Sequence, residues 1–385
     1  MQKVLVVFYL GDRYLPMILS LCKELSKRGV ASDALLMNSE TIRFYPISRK
    51  KVPFIVFLYS FLYRKLRQIR GFYRLGLNAF FTRRVYQIIE KDYLMINYSG
   101  VFTEDRLGFA KYSKAMGKKL TIDIWGNDFY RVYDWEHDWH KDLFNEVDTI
   151  YVSTSKMFND IVSTCPNSSE KLIVSPIPVP QLDTLCKLMD NEIGRNNSFL
   201  SKEAEGRIVL TIGYSGRPWQ QHFYVLDAID RLSDAQKKNL FLLLPMTYYL
   251  EHHYMLYIQT RLDQLGIPYQ IQTSFLPEIQ SLTMRTITDI FVVVQLTDAF
   301  AGSVREHIVA GSVLVAGEWL PYDILSEYGV YYHSCNSSSL SETLSDVIDN
   351  IKEEKAKCAK NREIMMNHFS IASICEKRIG IINSL

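Results

Sequence analysis

Two acids stand eight positions apart in the segment Asp298-Ala299-Phe300-Ala301-Gly302-Ser303-Val304-Arg305-Glu306. The small residues between them fit a tight loop that opens a helix. The first N–H groups of a helix have no partner inside it, so such a start attracts phosphate. Gly302, Ser303 and Val304 would supply those amides. Glu306, one turn in, would accept hydrogen bonds from ribose hydroxyls, and Asp298, ahead of the loop, would hold sugar hydroxyls. A plainer reading stands beside this one: Ser303-x-x-Glu306 is also a capping box, which needs no ligand, and Asp298 is then an ordinary loop acid.

Other chemistries find no support. The chain contains no G-x-x-x-x-G-K-[ST], G-x-G-x-x-G or G-x-S-x-G segment, which argues against a P-loop nucleotidase, an ordinary dinucleotide dehydrogenase and a serine hydrolase. There is no D-x-D or H-E-x-x-H either, so no metal is expected. The six cysteines show no C-x-x-C spacing. They read as reduced thiols, and the N-terminus lacks a signal-peptide pattern; the expectation is a cytoplasmic protein.

The elements that must position these residues follow an alternating pattern. Lys3–Tyr9 reads as a buried strand, and Pro16–Arg28 as a helix on the spacing of Ile18, Leu21, Cys22 and Leu25. Further strands are expected at Tyr93–Asn97, Leu120–Trp125, Thr149–Ser153 and Leu172–Ser175, with helices between them. After the polar stretch Asp190–Arg207 the pattern restarts with strands at Ile208–Ile212, Leu240–Leu244, Tyr269–Gln272, Ile290–Val294 and Val313–Ala316. Two consecutive β/α arrays predict an α/β protein of two Rossmann-like, doubly wound domains facing across a cleft. The boundaries read as 1–190 for the first, 191–206 for a linker, 207–365 for the second, and 366–385 for a C-terminal helix packing back on the first.

Charge is unevenly spread. The whole chain carries a formal +2, yet residues 41–89 hold eleven Lys and Arg and no acid. The same stretch holds the twelve-residue apolar run Val52–Tyr63, too short to span a bilayer. Basic residues mixed with aromatic ones fit a helical excursion lying on an anionic membrane surface; a solvated basic face is the alternative. Nucleic acid is not expected as a partner, because no recognisable module accompanies the patch.

The 298–316 segment resembles the signature of retaining nucleotide-sugar glycosyltransferases of the GT-B fold, glycosyltransferase family four and its relatives: an acid, then Phe, then a second acid, here Asp298, Phe300 and Glu306, followed by Gly311 and Val313-Leu314-Val315. The run Gly213-Tyr214-Ser215-Gly216-Arg217-Pro218-Trp219-Gln220-Gln221-His222 resembles the corresponding loop of bacterial 4-acetamido-4,6-dideoxygalactosyltransferases. Ile124-Trp125-Gly126-Asn127-Asp128 stands where related enzymes carry His-Gly-x-Asp, and Gly11-Asp12 stands at the family's first glycine-bearing turn. Where that family has Arg and Lys after the strand, this chain has Tyr214 after Gly213 and then Arg217 as the loop's only cation.

The resemblance implies a metal-independent glycosyltransferase with no cofactor beyond its nucleoside-diphosphate-sugar co-substrate. Gly213, Tyr214, Arg217, Gly302, Ser303, Val304 and Glu306 would hold the donor, with Arg217 on the diphosphate and Asp298 orienting the sugar. Gly11, Asp12, Trp125 and Asp128 would face a lipid-linked or glycan acceptor, and Asp128 or Asp12 would be the base if the reaction inverts rather than retains. Arg217 and Asp128 also keep plainer readings, as an exposed loop arginine and a helix cap. The expected setting is bacterial surface-polysaccharide assembly on the inner face of the plasma membrane. Alternatives are a nucleotide-sugar epimerase of the same fold and a non-catalytic membrane-associated assembly protein.

Overall fold

The structure is a computed structural model that describes residues 2–9, 14–38, 41–48, 52–69, 71–73, 75–100, 105–130, 138–191 and 200–385. Its thirteen described strands form two sheets. The first takes β1 (Lys3–Phe8), β2 (Ala31–Met37), β3 (Ile42–Tyr45), β4 (Met95–Ser99), β5 (Lys119–Asp123), β6 (Thr149–Val152) and β7 (Leu172–Val174), in the order β3-β2-β1-β4-β5-β6-β7. The second takes β8 (Ile208–Ile212), β9 (Leu240–Pro245), β10 (Tyr269–Gln272), β11 (Ile290–Val293), β12 (Val313–Gly317) and β13 (His333–Cys335), in the order β10-β9-β8-β11-β12-β13. All described neighbours are parallel except β2 with β3. In each sheet the chain winds outward from one strand and then restarts on its other side. The switch points therefore lie between β1 and β4 and between β8 and β11, where ligands bind in such sheets.

The chain divides into two units, residues 1–180 with 371–385, and residues 181–370. The first boundary falls ten residues before the position expected from the sequence. The helix Gln181–Asp190 packs on helices Glu278–Thr286 and Gly302–Val309 of the second unit, and Arg362 Nη2 bonds Asp190 Oδ1 at 2.8 Å. Half of the expected linker, 191–206, falls on residues outside those described. Its end, 202–204, is a short 3-10 turn whose Ala204 packs with Val209, Phe241 and Leu243 of the second sheet.

The C-terminal helix Ile371–Ser384 belongs to the first unit. Its Ile371, Cys375 and Ile382 join Val4, Val6, Leu21, Leu25 and Met95 in one apolar cluster. Arg378 is fixed inside that unit by Asp123 Oδ1 at 2.7 Å, with both side chains 3% exposed or less, and its guanidinium lies 4.4 Å from the centre of the Tyr151 ring.

Three strands escaped the periodicity reading. β2 reads Ala-Ser-Asp-Ala-Leu-Leu-Met, and a buried Asp33 contradicts a strand core. The fold satisfies it with N–H groups of Ile47 and Ser48 at 2.5 and 2.6 Å, and with the Tyr93 hydroxyl at 2.6 Å. β3 and β13 are four and three residues long and, unlike the equally short β7 (Leu-Ile-Val), neither is a continuous aliphatic run. The basic stretch 41–89 thus starts as an edge strand. Its helical part is Phe54–Leu66 followed by Leu77–Glu90. Val56, Tyr63, Phe72, Phe81 and Val85 are buried there. Phe54, Phe57, Phe61 and Leu75 remain exposed, at 76%, 58%, 42% and 75%, as do Arg64, Lys65, Arg83 and Arg84. Among the described residues no helix is long and apolar enough to cross a membrane.

Candidate active site

Loops leaving the carboxyl ends of β8, β9, β11 and β12 meet at the switch point of the second sheet. The loop after β8 turns on Gly213, which has φ 60°. Conformation therefore requires glycine, and a Cβ there would also displace Gln220 Oε1, which would stand 2.6 Å away. Gln220 Oε1 in turn accepts the Tyr214 N–H at 2.9 Å. Gly216 lies against the loop after β9: its N–H bonds Tyr248 O at 2.8 Å, and a Cβ would meet Leu250 Cα at 2.9 Å.

A chain of polar side chains crosses the switch point. Gln220 Nε2 donates to Gln295 Oε1, Gln295 Nε2 to the Tyr214 hydroxyl at 2.7 Å, and that hydroxyl to Asp298 Oδ1 at 3.0 Å. Asp298 Oδ2 also accepts from the Tyr322 hydroxyl at 2.5 Å and from Ala301 N at 3.0 Å. Burial, first, and the Asp298 charge push the Tyr322 phenol well above its ordinary pKa, so it stays a donor. The carboxylate thus receives three hydrogen bonds of its four lone-pair directions. Tyr214, standing where the resembled family carries Arg, ties the β8 and β11 loops together. Tyr322, Gln220 and Gln295 had no sequence signal; glutamine and tyrosine are too common for their positions alone to mark them.

Next in the chain, Phe300 takes φ 63°, a left-handed conformation costly for a bulky residue. Packing holds it: it is 1% exposed, with the Phe369 ring at 5.1 Å and the Arg305 guanidinium 5.1 Å from its centre. The helix Gly302–Val309 then begins, with Ala301 as its cap residue and no side-chain cap. Ser303 is therefore inside the helix, not at its cap, and the capping box does not form. Val304 N–H closes the first turn on Ala301 O at 3.1 Å, so Val304 is not one of the open amides. No acceptor among the described residues takes the Gly302 and Ser303 N–H groups, and the buried Ser303 Oγ is likewise without a hydrogen bond.

Glu306 is in place one turn further along, and Arg285 Nε bonds its Oε2 at 3.0 Å. Its neighbour Arg305 is fully buried. Desolvation brings that guanidinium down to about 10, against the opposing pull of Glu306, Asp298 and Tyr322, so it remains charged at neutral pH. Arg305 and Arg285 are cations the sequence reading did not single out. Arg217 has its guanidinium 4.5 Å from the Trp219 ring centre and 4.3 Å from that of Tyr249, and its Nε is buried without a hydrogen bond. Stacking between two rings holds an arginine as a fixed planar charge.

In the first unit, Trp125 Nε1 donates to Ser99 Oγ at 3.1 Å, and the Trp125 ring meets Tyr14 edge-on at 5.0 Å. Asp128 is fully buried and accepts the N–H groups of Trp125 and Gly126 at 2.7 and 2.8 Å, the geometry of a loop cap. Gly11 and Asp12 lie outside the described residues. Among the described residues no cluster of His, Cys, Asp and Glu could hold a metal ion.

No protein-family model and no curated protein sequence matches this chain. Its likeness is to solved structures. HepE of Anabaena, solved with UDP, superposes with a TM-score of 0.68 at 13% identity over 100% of both chains. A glycosyltransferase of Rickettsia africae gives 0.69 at 12% identity over 100% of this chain and 98% of its own. A UDP-forming α,α-trehalose-phosphate synthase of Burkholderia vietnamiensis gives 0.69 at 13% identity over 100% and 99%. At such identities the fold is what is shared: an α/β chain of two parallel-sheet units, the GT-B fold.

Proposed function

We propose that the chain is a metal-independent glycosyltransferase that takes its sugar from a nucleoside diphosphate. One observation carries this reading. At the switch point of the second sheet, the open amides of Gly302 and Ser303 and the Ser303 hydroxyl lie one helical turn from the carboxylate of Glu306. Amides and a hydroxyl at a helix start suit a diphosphate, and a carboxylate suits a ribose diol. Arg217 adds a stacked cation, and Arg305 a buried one. The structural neighbours support the same donor class: HepE was solved with UDP and with UDP-glucose. The likeness to family four and to the dideoxygalactosyltransferases belongs to this proposal, as does retention of configuration. In that reaction the acceptor oxygen bonds the anomeric carbon on the face the diphosphate leaves, the bond to the diphosphate breaks, and the acceptor proton passes to a leaving phosphate oxygen. Asp298 keeps one lone-pair direction for a sugar hydroxyl while holding the loop.

The acceptor side rests on the first unit. Trp125 is its candidate contact, held in place by Asp128, which caps the loop from within. The exposed apolar and basic face of the 54–90 hairpin fits an anionic cytoplasmic leaflet carrying a lipid-linked acceptor of surface-polysaccharide assembly.

The test is a thermal-shift panel of UDP, GDP, TDP, CDP and their sugars, since a ligand of the folded state raises its melting temperature. At least one diphosphate should stabilise the protein, and Glu306→Ala should reduce the shift. A flat panel would end the reading.

A further inference from the structure

Glu306 is held from one side only. Arg285, in the last turn of the Glu278–Thr286 helix, donates through Nε to Oε2, and the two side chains are 10% and 13% exposed. A carboxylate so enclosed needs a partner charge. The adjacent His307 does not supply it, because burial, first, and the Arg285 charge hold that imidazole far below its ordinary pKa and therefore neutral. The contact is single rather than the two-pronged fork that an arginine forms when it simply clamps a carboxylate. Arg285 Nη1 is buried with no hydrogen bond, and no described residue donates to Glu306 Oε1.

We propose that Arg285 is a positioning residue: it fixes the rotamer of Glu306 through Oε2 so that Oε1 is presented to the ribose diol of the nucleotide. The inference rests on the donor reading above. Because Arg285 acts through a contact to ribose hydroxyls, its loss matters only for a ligand that carries them.

The experiment is isothermal titration of wild type, Arg285→Gln, Arg285→Lys and Glu306→Ala with UDP, GDP and CDP and with their 2′,3′-dideoxy counterparts. For the diphosphate that binds wild type most tightly, Arg285→Gln should weaken the ribo form about tenfold, the worth of one charge-assisted hydrogen bond. It should leave the dideoxy form within about twofold. Glu306→Ala should show the same selectivity. Arg285→Lys should fall between, since an ammonium reaches Oε2 without fixing its plane; this variant carries the test if Arg285→Gln does not give folded protein by circular dichroism. Equal weakening of both ligand forms, or of neither, overturns the proposal. Wild type that binds none of the three diphosphates fails the reading of a ribonucleotide donor on which the inference rests, a result recognisable before any variant is compared.

Discussion

Asp298 shows how much of a motif's meaning depends on its neighbours. Spacing marks it as a sugar-binding acid, and the fold makes it the acceptor of three donors from three segments. Asp298→Ala strands the Ala301 N–H and two phenols, and should cost about 2–3 kcal/mol in urea denaturation, against about 1 kcal/mol for Tyr322→Phe. Gly216 is the second residue with a sharp expectation. A methyl there would meet main chain at 2.9 Å, which cannot swing away as a side chain would. Gly216→Ala should therefore cost about 1–3 kcal/mol in the same assay, and should weaken nucleotide binding because the β8 loop must shift.

The helices and strands of the second unit carry an acid-sensitive pair of contacts. His222 opens the helix after the β8 loop, is wholly buried, and is held at about 4 by desolvation. The unfolded chain binds that proton near 6.5, so stability falls as pH drops from about 6.5 toward 4. Glu354 sits at about 2: burial alone would raise it, but hydrogen bonds from Lys357, Tyr331 and His333 prevail. Its contribution is full above about 4.5 and is lost as pH falls toward 2. Denaturation midpoints measured across pH should show His222→Gln flattening the upper part of this limb and Glu354→Gln only the lower part. The 54–90 hairpin makes the other prediction at this scale. Liposome flotation should show binding that grows with anionic lipid and is lost in Phe54→Ser/Phe57→Ser/Phe61→Ser. It should weaken by about 1 kcal/mol for each of Arg64, Lys65 and Arg67 neutralised; binding indifferent to lipid charge would refute the membrane reading.

For the molecule as a whole, the last fifteen residues complete the first unit. Arg378 is the cation of a buried pair, and removing one member of such a pair leaves the other charge stranded. Arg378→Ala should cost about 3–5 kcal/mol in thermal unfolding, and Asp123→Asn in the same chain should recover part of it by removing the unpaired carboxylate. The expectation that 366–385 returns to the first domain and the observed return from Ile371 differ by five residues, because Met365 and Phe369 stay in the second unit, Phe369 against Phe300 and Tyr328.

The sequence by itself determined the two β/α arrays, since long buried parallel strands must be apolar throughout and announce themselves as such. It also determined the acid pair at 298 and 306 and the glycine at 213, because loop conformation and charge are local properties. Only the tertiary structure decided β2 with its buried Asp33, the Tyr214–Asp298–Tyr322 link and the pairing of Glu306 with Arg285. Each of these joins residues far apart in the chain, and a polar side chain becomes a partner rather than a cost only when the fold brings its complement within hydrogen-bonding distance.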